Sequence, residues 1–238
     1  MKTGTNVLAC AALLAAAGQA NAEFISQFDA FVPDADLVGV DGWHGWDNVA
    51  SAAGVVSDVI AYEGPNSLLV TGYTDAVQTY TGATAGTWML EAKQYIASGQ
   101  SGLSYFIVMN RYAPGANGDS AAWSAQVKFD LASGLLSDDF RGGSLPIAFN
   151  QWADLRFEID LDTDTVTTFY NDALLSSGSW TRSGSSSLAI AAIDLYSGDA
   201  NATYYDNVSL SPDVPSPGVP GAAALAIAGL AARLRRRV

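Results

Sequence analysis

Leu155-Arg-Phe-Glu-Ile-Asp-Leu161, followed by Asp162-Thr-Asp-Thr165 and Val166-Thr-Thr-Phe-Tyr170, decides the fold of this chain. Apolar residues alternate with polar ones at a period of two, which a half-buried β-strand requires and an α-helix cannot satisfy. The Asp/Thr tetrad between the two runs is turn chemistry, so the runs form a β-hairpin. Ser124-Ala-Gln-Val-Lys-Phe-Asp-Leu131 repeats the pattern, with Ala125, Val127, Phe129 and Leu131 on one face and Ser124, Gln126, Lys128 and Asp130 on the other. Further strands are predicted over 68–70, 88–96, 103–109, 188–196 and 204–210. The run from Leu103 is apolar on both faces, which places it centrally in its sheet. No stretch of helical period stands out between Glu23 and Pro212. Strands must therefore pack on strands, and an all-β antiparallel sandwich follows.

Both ends of the chain differ from this body. Lys2, an apolar core from Val7 to Ala17 and the small-x-small run Ala20-Asn21-Ala22 predict a signal peptide over 1–22, cut by signal peptidase after Ala22. Val7-Leu8-Ala9-Cys10 has the look of a lipoprotein box, but most of the apolar core follows the cysteine where a lipobox needs it in front. At the other end, Val219 to Ala232 is apolar all round and is followed by Arg233, Arg235, Arg236 and Arg237. This pattern predicts a membrane-spanning helix over about 219–234, short for a ~30 Å hydrocarbon core. The arginines mark its cytoplasmic side. The expected organisation is an exported β-sandwich ectodomain over 23–210, a Pro-rich tether over 211–220 and a terminal signal over 214–238. The protein is then held at the inner membrane, at least transiently.

Composition removes several classes of function. Cys10 is the single cysteine, so the mature chain folds without disulfides. His44 is the single histidine, which leaves too few ligands for zinc and no thiol nucleophile. A serine triad would have to use His44, yet no Gly-x-Ser-x-Gly elbow occurs. The net charge is −13, and all 24 acidic residues lie between the two targeting segments, against only Lys93, Arg111, Lys128, Arg141, Arg156 and Arg182. Such a surface repels nucleic acid and anionic lipid.

Two resemblances add to these readings. Val214-Pro215-Ser216-Pro217, the apolar run and the arginine cluster together resemble the bacterial PEP-CTERM sorting signal, with Ser216 where that family usually has glutamate. The resemblance implies an exosortase-type sorting protease as partner and delivery to the cell surface or the exopolysaccharide matrix. The segment from Gln151 to Asp172, together with Tyr204-Tyr-Asp-Asn-Val-Ser-Leu210 and Val40-Asp-Gly-Trp-His-Gly-Trp46, resembles concanavalin A-like (laminin-G-like) jelly rolls. It implies that architecture for the sandwich.

Three constellations are candidates for chemistry. Glu158, Asp160 and Asp162 share one face of a strand and resemble the catalytic strand of family 16 β-glucanases. That resemblance implies Glu158 as nucleophile, Asp160 as its helper and Asp162 as proton donor of a retaining glycoside hydrolase. An acidic wet face entering a hairpin explains the same letters. Asp138, Asp139 and Asp206 are candidates for a structural calcium site, whereas Asp160-x-Asp162-x-Asp164 departs from the EF-hand pattern at Thr165 and Asn171. No other cofactor is implied. Trp43, Trp46, Tyr112, Trp123 and Trp180 form a candidate glycan platform, because sugars present apolar ring faces that stack on exposed aromatics. For Trp88 and Trp152, core packing is the better reading. The sequence thus points to a non-catalytic envelope or matrix protein that binds polysaccharide weakly or serves structurally, with the glycoside hydrolase as the alternative.

Overall fold

The alternation in 155–170 becomes the predicted hairpin because each run has one apolar face to bury. In a computed structural model that describes residues 23–115, 121–182 and 186–212, fifteen strands form two antiparallel sheets. The first sheet runs, in spatial order, β13 (Ala173–Ser179), β12 (Thr165–Tyr170), β11 (Trp152–Asp160), β6 (Thr87–Tyr95), β15 (Thr203–Pro212), β4 (Ser67–Val70) and β3 (Val55–Ser57). Beyond the end of β4, β1 (Phe24–Ser26) pairs with β15. The second sheet runs β10 (Ser144–Pro146), β9 (Leu135–Asp138), β8 (Ala122–Asp130), β7 (Leu103–Arg111), β14 (Ala192–Ser197), β5 (Asp75–Thr79) and β2 (Trp43–Gly45). Helical structure among the described residues is confined to two short 3-10 turns, Trp46–Asn48 and Ala50–Ala52.

The inward residues of both sheets form one core. Phe157 of β11 stacks on Phe106 of β7 across the sandwich, with ring centroids 5.4 Å apart, and Tyr205 of β15 closes on Phe106 at 5.8 Å. Trp88 is buried with them, whereas Trp152 is half-buried on the outer face, edge-on to Tyr62 and tilted against Tyr95. The hairpin turn is fixed by its acids. Asp160 accepts from the backbone N–H of Asp162 and Thr163 at 2.9 and 3.1 Å, and Asp164 takes the left-handed conformation at φ 56°.

The strand from Leu103 is the fourth of seven, as its two apolar faces predict. Its inner face, Phe106 and Val108, joins the main core. Its outer face, Ile107 and Met109, joins a second apolar cluster with Val77, Ala121 and Ala192, against which Trp46, Tyr105, Tyr112 and Trp123 pack. The predicted strand over 188–196 begins only at Ala192, because Ile190 N–H donates to Ala83 O in a loop rather than to a neighbouring strand. Among the described residues no helix is long and apolar enough to cross a membrane. The span predicted over 219–234, the signal peptide with Ala20 and Ala22, and the sorting motif Val214, Pro215, Ser216, Pro217, Arg233, Arg235, Arg236 and Arg237 lie outside them.

Candidate functional site

The outer face of the second sheet is where aromatic side chains converge. Along β2 the side chains alternate, so Trp43 points into the core and His44 out of it. Gly45 then allows the following turn to fold back, since a Cβ there would stand 2.0 Å from Val49 O. This return places the Trp46 ring against Trp123 of β8, with centroids 6.0 Å apart and planes at 16°. Tyr112, just beyond β7, meets Trp46 edge-on at 5.0 Å and stacks on His44 at 5.8 Å. The two loops are tied together by Asp47, whose N–H donates to Tyr112 Oη at 3.1 Å and whose carboxylate accepts from Gly115 N–H at 2.9 Å. The aromatic strip is therefore held from several directions before any ligand arrives.

Beside the strip lies a cavity of about 370 Å³, walled by Trp46, Trp123, Tyr105 and Tyr196 and floored by Ile107, Gln126, Asp75 and Asp194. The acids come together because β5 and β14 pair with Asp75 opposite Tyr196 and Asp194 opposite Val77. A second cavity of about 610 Å³ shares Asp75 and Tyr196 with the first and continues to Tyr73 and Asp199. Tyr73 is 93% exposed at the far end. The two cavities adjoin at Asp75 and Tyr196.

Electrostatically the floor is unusual. Burial, together with the neighbouring Asp75, pushes the Asp194 carboxyl well above its ordinary value. Asp75 is raised as well, by burial first and by Asp47, against a hydrogen bond with Asp194 that lowers it. Two carboxyls so placed titrate as a pair, each disfavouring ionisation of the other. Burial also raises the Tyr112 and Tyr105 phenols, which stay neutral donors.

Of the five aromatics predicted for a platform, Trp46, Tyr112 and Trp123 are brought together and two are not. Trp43 and Trp180 are each 0% exposed. Trp43 donates to Ser26 Oγ at 3.0 Å and Trp180 to Ala189 O at 3.2 Å, so both are core residues with satisfied indoles and cannot stack on a ligand. Their polar flanks conceal this, because burial comes from distant segments closing over them.

The acidic strand lies on the outer face of the first sheet, away from the cleft. Glu158 pairs with Arg156, Asp160 holds the turn and Asp162 accepts from Gly86 N–H at 2.9 Å. The calcium candidates are likewise engaged separately. Asp138 is buried, accepting from Phe140 and Arg141 N–H at 2.7 and 3.0 Å, while Asp139 pairs with Lys128 at 3.1 Å. Asp206 accepts from the N–H of Tyr62, Glu63 and Asn207. Among the described residues no three His, Cys, Asp or Glu side chains group so as to hold a metal ion. Asp75 and Asp194 are the residues that sequence reasoning missed. Asp194 carries the one signal that was available, a lone charge in the apolar run Leu188-Ala-Ile-Ala-Ala-Ile-Asp-Leu195.

No family model matches the chain and no curated protein is similar to it. Solved structures are similar in fold. An endo-β-1,4-glucuronan lyase from the fungus Trichoderma reesei superposes with a TM-score of 0.50 at 14% identity, over 77% of this chain and 95% of that one. A sialidase superposes with a TM-score of 0.56 at 9% identity, over 82% of this chain but only 19% of its own. The carbohydrate-binding module CBM66 from Bacillus subtilis gives a TM-score of 0.45 at 16% identity, over 71% of this chain and 95% of the module. The likeness to the lyase and the sialidase concerns the fold alone, a two-sheet antiparallel β-sandwich of the jelly-roll kind.

Proposed function

We propose that this chain is a non-catalytic carbohydrate-binding protein that takes a polysaccharide into the cleft on the outer face of its second sheet. The observation that carries this reading is the stacked pair Trp46 and Trp123 over a cavity with acids and phenols at its floor and walls. A pyranose presents an apolar C–H face to an indole and a rim of hydroxyls to polar groups, and such a cavity supplies both. The adjoining cavity favours a chain over a single sugar. Retention of the full chain in affinity gels containing polysaccharide tests the reading. Loss of retention in Trp46→Ala and Trp123→Ala supports it, and retention unchanged by either substitution refutes it.

Absence of catalysis is part of the proposal, and the glycoside hydrolase built on Glu158 is its rival. Release of reducing ends from a β-glucan by the wild-type chain, lost in Glu158→Gln, would establish the enzyme. We also infer export, with cleavage after Ala22, and sorting of the tail from Val214 by an exosortase-type protease toward the cell surface or exopolysaccharide matrix. Mass spectrometry of both ends of the protein recovered from its native envelope checks this. Intact termini on a cytosolic chain would overturn it.

A further inference from the structure

The two acids at the cavity floor differ from Asp138 and Asp206 in taking no donor from the backbone. Asp138 and Asp206 have backbone N–H groups on their carboxylates. Asp75 and Asp194 hydrogen-bond each other, and no backbone N–H and no other side chain among the described residues donates to Oδ1 of either. Asp194 is only 3% exposed, yet it forms part of the cavity lining beside Trp46 and Trp123. A carboxyl pair whose only partners are each other keeps acceptor capacity that hydroxyl donors entering the cavity can use.

The surrounding charge limits what that donor is. Asp47 on the turn after β2, Asp139 beyond β9 and Asp199 beyond β14 place further carboxylates around the cavity. Lys128 is paired with Asp139 at 3.1 Å, and neither it nor Arg111 lines the cavity. His44 stacks on Tyr112, and Tyr105, Tyr112 and Tyr196 supply phenols. A ligand carboxylate would meet like charge here with no cation to offset it, whereas neutral hydroxyls bring donors and no charge.

We propose that Asp75 and Asp194 form a subsite for an uncharged sugar ring, accepting hydrogen bonds from its hydroxyls while the ring stacks beside Trp46 and Trp123, and that the same pair excludes uronic and sialic acids. This rests on the carbohydrate-binding reading above and names its ligand class.

The test compares retention of the full chain in gels containing a neutral β-glucan or galactomannan with gels containing polyglucuronate or alginate, at low ionic strength, with either EDTA or calcium present. The neutral polymers are expected to bind at least tenfold more tightly than the polyuronates, with no effect of calcium. Asp75→Asn and Asp194→Asn are each expected to weaken neutral binding about tenfold, since a carboxyl acceptor is exchanged for a carboxamide that presents N–H donors in place of one oxygen. Their melting temperatures report that the fold is kept, and Trp152→Ala on the opposite face serves as the unaffected control. Equal or tighter binding of a polyuronate, binding that requires calcium, or unaltered neutral binding by both Asn variants overturns the inference while the carbohydrate reading stands. Retention of no glycan at all refutes the carbohydrate reading, and this inference with it.

Discussion

Trp46 and Trp123 lie nearly parallel, their ring centroids 6.0 Å apart, although one belongs to a turn and the other to strand β8. A half-buried indole pair held in one orientation offers a binding face at little cost in conformational entropy. Trp46→Ala and Trp123→Ala are therefore expected to abolish glycan retention while lowering stability modestly. The two core tryptophans should behave in the opposite way. Trp43→Ala and Trp180→Ala remove fully buried rings and are each expected to cost about 3–5 kcal/mol of unfolding free energy, measured by urea titration. Surviving folded protein of either variant should still bind.

The turn that carries Trp46 depends on a residue with no side chain. At Gly45 an added Cβ would stand 2.0 Å from Val49 O and 2.8 Å from Ala53 N, both backbone atoms that cannot rotate away. Gly45→Ala must shift the turn, and with it the indole. Glycan affinity is expected to fall about tenfold or more, with a blue or red shift of the tryptophan emission that reports a moved Trp46. An unchanged affinity would mean that the turn does not position the ring.

The fold was legible in the sequence where one strand face is wet. Ala125, Val127 and Phe129, and likewise Leu155, Phe157 and Ile159, alternate with polar residues and become inward faces as read. Legibility fails where burial is created by other segments. Trp43 looks exposed between glycines, but Phe28 packs on it at 5.8 Å from a region with no strand pattern of its own. Ile107 and Met109 showed that β7 is covered on both sides, but not that Trp46, Tyr112 and Trp123 provide the outer cover. Asp75 and Asp194 meet only through the pairing of β5 with β14, and no local spacing encodes that pairing.

Asp138 illustrates an acid whose role is structural. Its side chain is 0% exposed and faces Arg141 at 3.5 Å, and Ser176 Oγ of β13 donates to it at 2.5 Å, linking β9 of the second sheet to the edge strand of the first. Arg141 also donates to Ser124 O at 2.7 Å. Removing the carboxylate leaves a buried guanidinium without its counter-charge, so Asp138→Ala is expected to cost about 3–5 kcal/mol in urea unfolding. Adding Arg141→Met should recover part of the loss. Because protein donors already occupy Asp138, chelation by EDTA is expected to leave the melting temperature unchanged. A fall on chelation would restore the calcium assignment.

Asp194 should show the reverse, an acid whose burial works against the fold. Burial and Asp75 raise its folded-state value above the ordinary 3.8, so the folded chain holds this proton more tightly than the unfolded chain does. Below about pH 4 both states are protonated and no penalty exists. As pH rises beyond that value the unfolded chain releases the proton freely while the folded chain retains it. Stability is then lost progressively until the folded-state value is passed. Asp194→Asn removes the titration while keeping the size of the side chain, and its amide can still donate to Asp75. The variant is expected to match the wild type near pH 4 and to become the more stable protein as pH rises toward 8, even as it binds glycan less well. Urea unfolding across that range reads the difference. Parallel stability curves would show that the Asp194 carboxyl ionises alike in both states and is not held neutral by its surroundings.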